Sequence, residues 1–321
     1  MSKEIIERAR ARSRWGTPND HPKVKNSSQK NKISIHNSIE TTDLCSSFGK
    51  RKVLDSINVR FKKGETVLIA GNNGSGKSSL LRCLAGVLLP DSGTIRIDEA
   101  IAKNKIAFIS DRMSLFEDFT LDQGIAFHKQ AFGVKDFDYA LIDRLNLDRD
   151  QRIKDLSKGE RAIYHLSLLL SQQPEVLLLD EIIHTIDPYL RELFLEALID
   201  LIDEVNATVI MVNHTFSEMG RIPERVLIME NGRFIFDEMS DVMQQKIKKI
   251  VIETEDKAKE EDGIMKELPV IFKQSSPLYR EYFIYPFKEE YEAERKYKFR
   301  EVDISGIIKS FIGGYYAKKR V

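Results

Sequence analysis

Nine consecutive residues, Gly71-Asn72-Asn73-Gly74-Ser75-Gly76-Lys77-Ser78-Ser79, limit what this chain can fold into more than any other stretch. The apolar run Val67-Leu68-Ile69-Ala70 before them reads as a buried strand. The run Ser79-Leu80-Leu81-Arg82-Cys83-Leu84-Ala85 after them reads as a helix ended by Gly86. A G-x-x-x-x-G-K-S spacing between a strand and a helix is the arrangement of a phosphate-binding loop. Its glycines let backbone N–H groups converge on an anion with no side chain in the way. The helix N-terminus adds partial positive charge. Lys77 is placed to reach the β- and γ-phosphates of a nucleotide, and the Ser78 hydroxyl to ligate Mg²⁺.

Around this loop the chain alternates between strand and helix patterns. Strands are predicted at Val53–Phe61, Thr66–Ala70, Thr94–Ile97, Lys105–Ser110, Val176–Leu179 and Thr208–Val212. Residues 113–170 carry helical spacing, and Tyr189–Val205 reads as an amphipathic helix. Val226–Met229 and Arg233–Phe236 flank Asn231-Gly232, a strong hairpin signal. The whole implies an α/β domain with a mainly parallel core sheet and a helical insertion. We expect a flexible basic tail over 1–32, the α/β domain over 33–243 and an accessory region over 244–321. In that last region the mixed-charge run 246–267 reads as a helix or linker.

Lysine plus arginine total 50 and aspartate plus glutamate total 50. This balance gives no support to a nucleic-acid-binding surface, which carries a basic excess. No apolar run approaches the length needed to span a bilayer, and the N-terminus has no apolar signal region. Cys45 and Cys83 are too few for a disulfide framework. The expected location is cytoplasmic, with any membrane role coming through a partner. His21, His36, His128, His165 and His184 show no metal-ligand spacing.

Two further motifs bear chemistry. Val176-Leu177-Leu178-Leu179-Asp180-Glu181 is an apolar strand ending in two carboxylates, at the sheet edge where open α/β folds bind ligands. Asp180 is placed to hold Mg²⁺ and Glu181 to polarise a water that attacks the γ-phosphate. Leu156-Ser157-Lys158-Gly159-Glu160 precedes an apolar helix. Ser157 and Glu160 have capping-box spacing, yet a helix start with a glycine is also an anion site. Local physics leaves both readings open.

Taken in order, the phosphate loop, the Leu-Ser-x-Gly stretch, the Asp-Glu strand and a downstream histidine resemble the ATP-binding cassette family, the ATPase subunits of ABC transporters. The resemblance covers about residues 33–240. It implies a P-loop NTPase fold of ABC-cassette type: a mainly parallel core sheet, an N-terminal antiparallel β part, a helical subdomain over about 112–170 and a small C-terminal extension. It implies that Phe48 stacks on adenine, that Asp187 belongs to the D-loop, and that His214 senses the γ-phosphate and orients Glu181. It further implies a head-to-tail dimer in which Ser157 and Gly159 reach the nucleotide held by the other subunit's Lys77. Asp111, or Ser110 if the register shifts by one, stands where the family usually has glutamine, and Asp111 is a candidate Mg²⁺ ligand. Lys158 and Glu160 replace a glycine and a glutamine of the signature. Ile182 and His184-Thr185-Ile186 also depart from the family pattern. The implied activity is ATP hydrolysis with Mg²⁺, in a homodimer on the inner face of the membrane that powers a separate permease contacted through 112–155. The Val302–Ile308 stretch is similar to a tail motif of exporter cassettes, so the implied direction is export. The alternative is a soluble or regulatory ABC-type ATPase not coupled to transport.

Overall fold

The computed structural model describes residues 37–110, 116–182, 186–213, 222–253, 258–293 and 296–318, the side chains of 258–262 and 316–318 excepted. The expectations for the tail 1–32, for Asp111 and for His214 fall outside the described residues.

An antiparallel sheet of β1 (Asn37–Phe48), β2 (Arg51–Lys62) and β4 (Ser92–Ile97) has the order β2-β1-β4. The larger sheet contains β3 (Thr66–Ala70), β5 (Ile106–Ser110), β6 (Val176–Asp180), β7 (Thr208–Val212), β8 (Arg225–Glu230) and β9 (Arg233–Met239). Its order is β5-β6-β7-β3-β8-β9. All neighbours pair in parallel except β8 and β9, which are antiparallel. The β8–β9 turn has positive φ at both Asn231 (48°) and Gly232 (76°), as a two-residue hairpin turn of the primed type requires.

β3, β6 and β7 are buried at every position, the state of a parallel strand covered on both faces. Their side chains alternate between two cores. Leu68, Leu177, Leu179, Val209 and Met211 face α4 (Lys158–Leu170) and α5 (Pro188–Val205). Val67, Ile69, Leu178, Ile210 and Val212 face α1 (Lys77–Leu84) and the antiparallel sheet. Each such side chain contributes about 1.5–3 kcal/mol on burial, so the sheet is a rigid platform for what its ends carry.

The helical part, with α2 (Leu121–Phe132), α3 (Ala140–Arg144) and α4, has a small core of its own around Leu121, Ile125, Ile142 and Tyr164. Tyr164 Oη donates to the Leu121 carbonyl at 2.8 Å. Gly124 permits that approach, because a Cβ there would lie 2.2 Å from Tyr164 Oη.

The run expected to be a helix or linker over 246–267 is instead divided. Lys248–Glu253 is strand β10, and Ala258–Glu267 (α7) is helical. Ile250 is buried, while Lys249, Val251 and Glu253 share the opposite face. β10 lies between β12 (Tyr279–Ile284) and β13 (Phe299–Glu301), with β11 (Val270–Ser275) beyond β12. Short helices α6 (Ser240–Lys246) and α8 (Glu289–Ala293) and the longer α9 (Ile304–Lys318) complete this region. Phe283, Val302, Ile304, Ile307 and Ile308 are buried in the same cluster as Leu68 and Leu179. Packing therefore continues across residue 244 without a break.

Candidate functional site

The loop after β3 folds as only glycine allows. Gly71, Gly74 and Gly76 have φ of 149°, 79° and 112°. A Cβ on Gly71 would sit 2.1 Å from the Met229 carbonyl oxygen, and one on Gly76 would sit 2.4 Å from that of Val53. The β8–β9 hairpin pins the loop at two points. The Asn72 N–H donates to Glu230 Oε1 at 2.9 Å, and the Gly232 N–H donates to the Ser75 carbonyl at 2.8 Å. Helix α1 then starts at Gly76 with no side-chain cap. Its first N–H groups have no partner within the helix, and no acidic residue occupies its first turn. This is an open anion seat.

Lys77 is buried, and its Nζ donates to the carbonyls of Gly71 and Asn72, both at 2.9 Å. Burial lowers its proton affinity, while the charges of Glu181, Glu230 and Asp180 act the other way. Ser75 Oγ is buried without a hydrogen-bond partner among the described residues. Ser78 Oγ donates to Asp180 Oδ1 at 2.7 Å, so the end of β6 meets the start of α1. Two hard oxygen donors at such a junction suit Mg²⁺, which takes carboxylate and hydroxyl oxygens and keeps several waters. Ser110, at the end of β5, is in register with Asp180.

Glu181 follows Asp180 with φ of 55°, a left-handed backbone costing a non-glycine residue about 1–3 kcal/mol. Its N–H donates to the Val212 carbonyl at 3.0 Å, which fixes the bend. Glu181 then lines a cleft of about 380 Å³ with Phe48, Arg51, Val53, Asn73, Gly74, Gly76, Lys77, Ser78 and Ser79. Phe48 is 55% exposed at one end of this cleft, an unpacked ring free to cover a flat ligand.

Ser157, Gly159 and Asp187 do not line this cleft. Ser157 caps α4 in a full capping box: the Glu160 N–H donates to its Oγ at 3.2 Å, and its own N–H donates to Glu160 Oε2 at 2.8 Å. Asp187 caps α5, accepting from the N–H groups of Tyr189 and Leu190 at 3.1 Å. Gly159 is buried against this second cap, with a Cβ 3.3 Å from Asp187 Oδ2. The structure thus gathers the expected residues into two groups: Phe48, the loop, Asp180 and Glu181 in one, Ser157, Gly159 and Asp187 in the other.

Sequence reading passed over Arg51 and Glu230. Arg51 sits in the basic run Lys50-Arg51-Lys52, which reads as a solvated turn. Glu230, 1% exposed, reads as the polar end of a hairpin strand. A separate surface on the helical part carries exposed Phe116, Phe127 and Phe132. With His128, Tyr164 and His165 these rings line a second cleft of about 330 Å³.

The profile of the ABC transporter family matches residues 54–184. A probable sulfate/thiosulfate import ATP-binding protein CysA of Chlorella vulgaris is 31% identical over 211 residues, covering 62% of this chain and 89% of that protein. The energy-coupling factor transporter ATP-binding protein EcfA2 of Clostridium tetani is 31% identical over 215 residues, covering 59% of this chain and 72% of that protein. Among solved structures, an ATP-binding subunit of an ABC transporter matches with a TM-score of 0.59 at 22% identity, over 64% of this chain and 92% of that one. The dimeric structure of MJ0796, a bacterial ABC transporter cassette, matches with a TM-score of 0.55 at 21% identity, over 63% and 98%. At these identities the structural likeness speaks for the fold.

Proposed function

This chain belongs to the ABC family of ATP-hydrolysing cassettes, and from that premise we propose that two copies close around ATP and drive a separate membrane permease. The observation that carries the proposal is the division of expected residues into two groups within one chain. Asn73, Gly74, Gly76 to Ser79 and Glu181 line one cleft, with Asp180 bonded to Ser78 beside it, and Ser157, Gly159 and Asp187 do not line it. A second copy, placed head to tail, supplies the missing group.

In the proposed cycle adenine lies on Phe48 and the phosphates on the N–H groups of Gly74 to Ser79. Lys77 exchanges the carbonyls of Gly71 and Asn72 for the β- and γ-phosphates. Ser78, Asp180 and Asp111 would hold Mg²⁺. The ion, when bound, neutralises charge on the phosphates and orients them for in-line attack. Glu181 takes the proton of the attacking water, and the bend at its backbone sets the direction of its carboxylate. His214, two residues beyond Val212 in sequence, holds Glu181 and that water in place. From the other copy, Ser157 and Gly159 close on the γ-phosphate beside Asp187.

Among the described residues no helix is long and apolar enough to cross a membrane. The proposed location is the inner face of the cell membrane, with the permease seated on the exposed aromatic surface of Phe116, Phe127 and Phe132. An apolar patch of this kind marks an interaction site. The exporter-type expectation rests on the Val302–Ile308 tail, and the import name of the sulfate/thiosulfate relative points the other way. Reconstitution with the permease, scored for inward or outward substrate flux, decides between them.

Replacing a general base costs roughly a hundred- to ten-thousandfold in rate. Glu181→Gln should therefore bind ATP, hydrolyse it that much more slowly and elute as a dimer with Mg²⁺ present. Turnover at the wild-type rate would remove Glu181 from the mechanism. A persistent monomer under those conditions, with permease supplied, would refute the two-copy site.

A further inference from the structure

We propose that Arg51 is a further nucleotide-binding residue, holding the phosphate nearest the ribose. It rests on the nucleotide-site reading above and adds to it a cation outside the phosphate loop.

Phe48 and Arg51 are direct partners across the β1–β2 pair, separated by the turn Gly49-Lys50. Directly opposed residues of an antiparallel pair project from the same face. Both line the cleft that contains Lys77, Ser78 and Glu181. At its far end Arg51 Nη2 donates to the Gly74 carbonyl at 3.2 Å, the midpoint of the phosphate loop. The guanidinium thus bridges the ring that covers the base and the loop that holds the β-phosphate. The ribose and the first phosphate lie between those two points in any nucleotide so bound.

The charge of Arg51 is available. No carboxylate pairs with it among the described residues, whereas Lys52 next to it is bonded to Asp55. A guanidinium carries five N–H donors in a planar fork suited to phosphate, and one of them on Gly74 leaves four. Arg51 is exposed, so the fork reaches an incoming ligand without unpacking any core. The backbone donors of the loop serve the outer phosphates, and Arg51 adds charge where they are fewest.

The test uses the full chain and its Arg51→Ala, Arg51→Lys and Lys77→Ala variants. ATP, ADP and adenosine compete with a fluorescent ADP analogue, read by anisotropy, and melting curves are recorded in parallel. One lost charge-assisted hydrogen bond corresponds to about a tenfold change in affinity. Arg51→Ala is expected to weaken ATP and ADP by the same factor, about tenfold, with adenosine binding and the melting temperature unchanged. Arg51→Lys should recover part of the loss. Unchanged ATP and ADP affinity in Arg51→Ala, with binding weakened in Lys77→Ala, overturns the inference and leaves the site reading intact. A loss confined to ATP would place the guanidinium at the wrong phosphate. An equal loss for adenosine would reduce its role to loop packing. Absence of nucleotide binding by the wild-type chain overturns the site reading and this inference together.

Discussion

Helix α1 starts at Gly76, in a left-handed backbone with no side-chain cap, whereas α4 starts at Ser157 inside a complete capping box. The loop before α1 reads as a phosphate site from its own spacing, whereas the stretch before α4 is tied to phosphate only by the family resemblance. At α1 the first N–H groups are open, Lys77 stands beside them and no acidic residue occupies the first turn. At α4 the N–H groups of Ser157 and Glu160 are already used, and the Glu160 carboxylate sits at the helix mouth. One start is built to need an anion, and the other is satisfied without one. What α4 can still offer is small: the N–H groups of Lys158 and Gly159, and the hydroxyl proton of Ser157, whose oxygen accepts the Glu160 N–H while its O–H remains free to donate. The capping reading and the phosphate reading of Leu156–Glu160 are thus compatible. In the proposed two-copy cycle, the difference suits α1 to first capture and α4 to a contact made only once a nucleotide is in place.

Three measurements test this contrast. The largest effect is expected at the open start. Lys77→Ala removes the charge that complements the phosphates and should weaken ATP binding by roughly a hundredfold. Titration of the isolated protein checks this, and unchanged binding would mean that α1 is not the seat.

The second effect concerns the helix behind the closed start. His165, on α4, has a buried Nδ1 without a partner among the described residues, and burial pushes its pKa down to about 4. In the unfolded chain the ring protonates near 6.5, so between that pH and about 4 the unfolded state binds more protons. Stability must therefore fall as the pH drops through this window. After allowance for the partial exposure of the ring, the loss is roughly 2 kcal/mol. His165→Leu should flatten the corresponding part of a melting-temperature profile against pH. A profile of unchanged slope would show that the ring does not resist protonation.

The smallest effect is at the cap itself. Ser157→Ala should cost about 1 kcal/mol of stability. It should leave ATP affinity of the isolated chain unaltered while slowing hydrolysis. Weaker binding by the monomer would place Ser157 in its own protomer's cleft and erase the distinction between the two starts.

Much of the site was legible in the sequence because its residues are held by backbone geometry that only particular types permit. Gly71 and Gly76 sit under 2.5 Å from carbonyl oxygens once a Cβ is added, so no other residue fits and the motif shows. Asp180 shows because a carboxylate ending the fully apolar strand Val176–Leu179 has no structural reason to be there. The hairpin at Asn231-Gly232 announces itself through two positive φ angles. The bend at Glu181 leaves no such sign, since its positive φ is imposed by the fold around it. Strand β1 was not anticipated, because Ile39 and Leu44 are its only buried apolar side chains. Its other inward positions are Ser38, Thr41 and Ser46; Ser38 Oγ pairs with Thr208 Oγ1 at 2.6 Å and Thr41 Oγ1 donates to the Ile57 carbonyl at 3.1 Å. β10 was hidden among charges that its neighbours across the sheet neutralise, as Glu281 does for Lys249 at 2.8 Å. Arg51 and Glu230 owe their importance to partners 23 and 158 residues away. No local pattern encodes such distances.

The tail of this protein shares its oil with the head. Phe283, Val302, Ile304, Ile307 and Ile308 are wedged among residues of the nucleotide-bearing sheet. A chain cut short after its last cassette strand would present a greasy flank to water and invite clumping. The intact molecule should instead melt as one body, so whatever tugs on its closing helix is felt by the platform beneath the nucleotide.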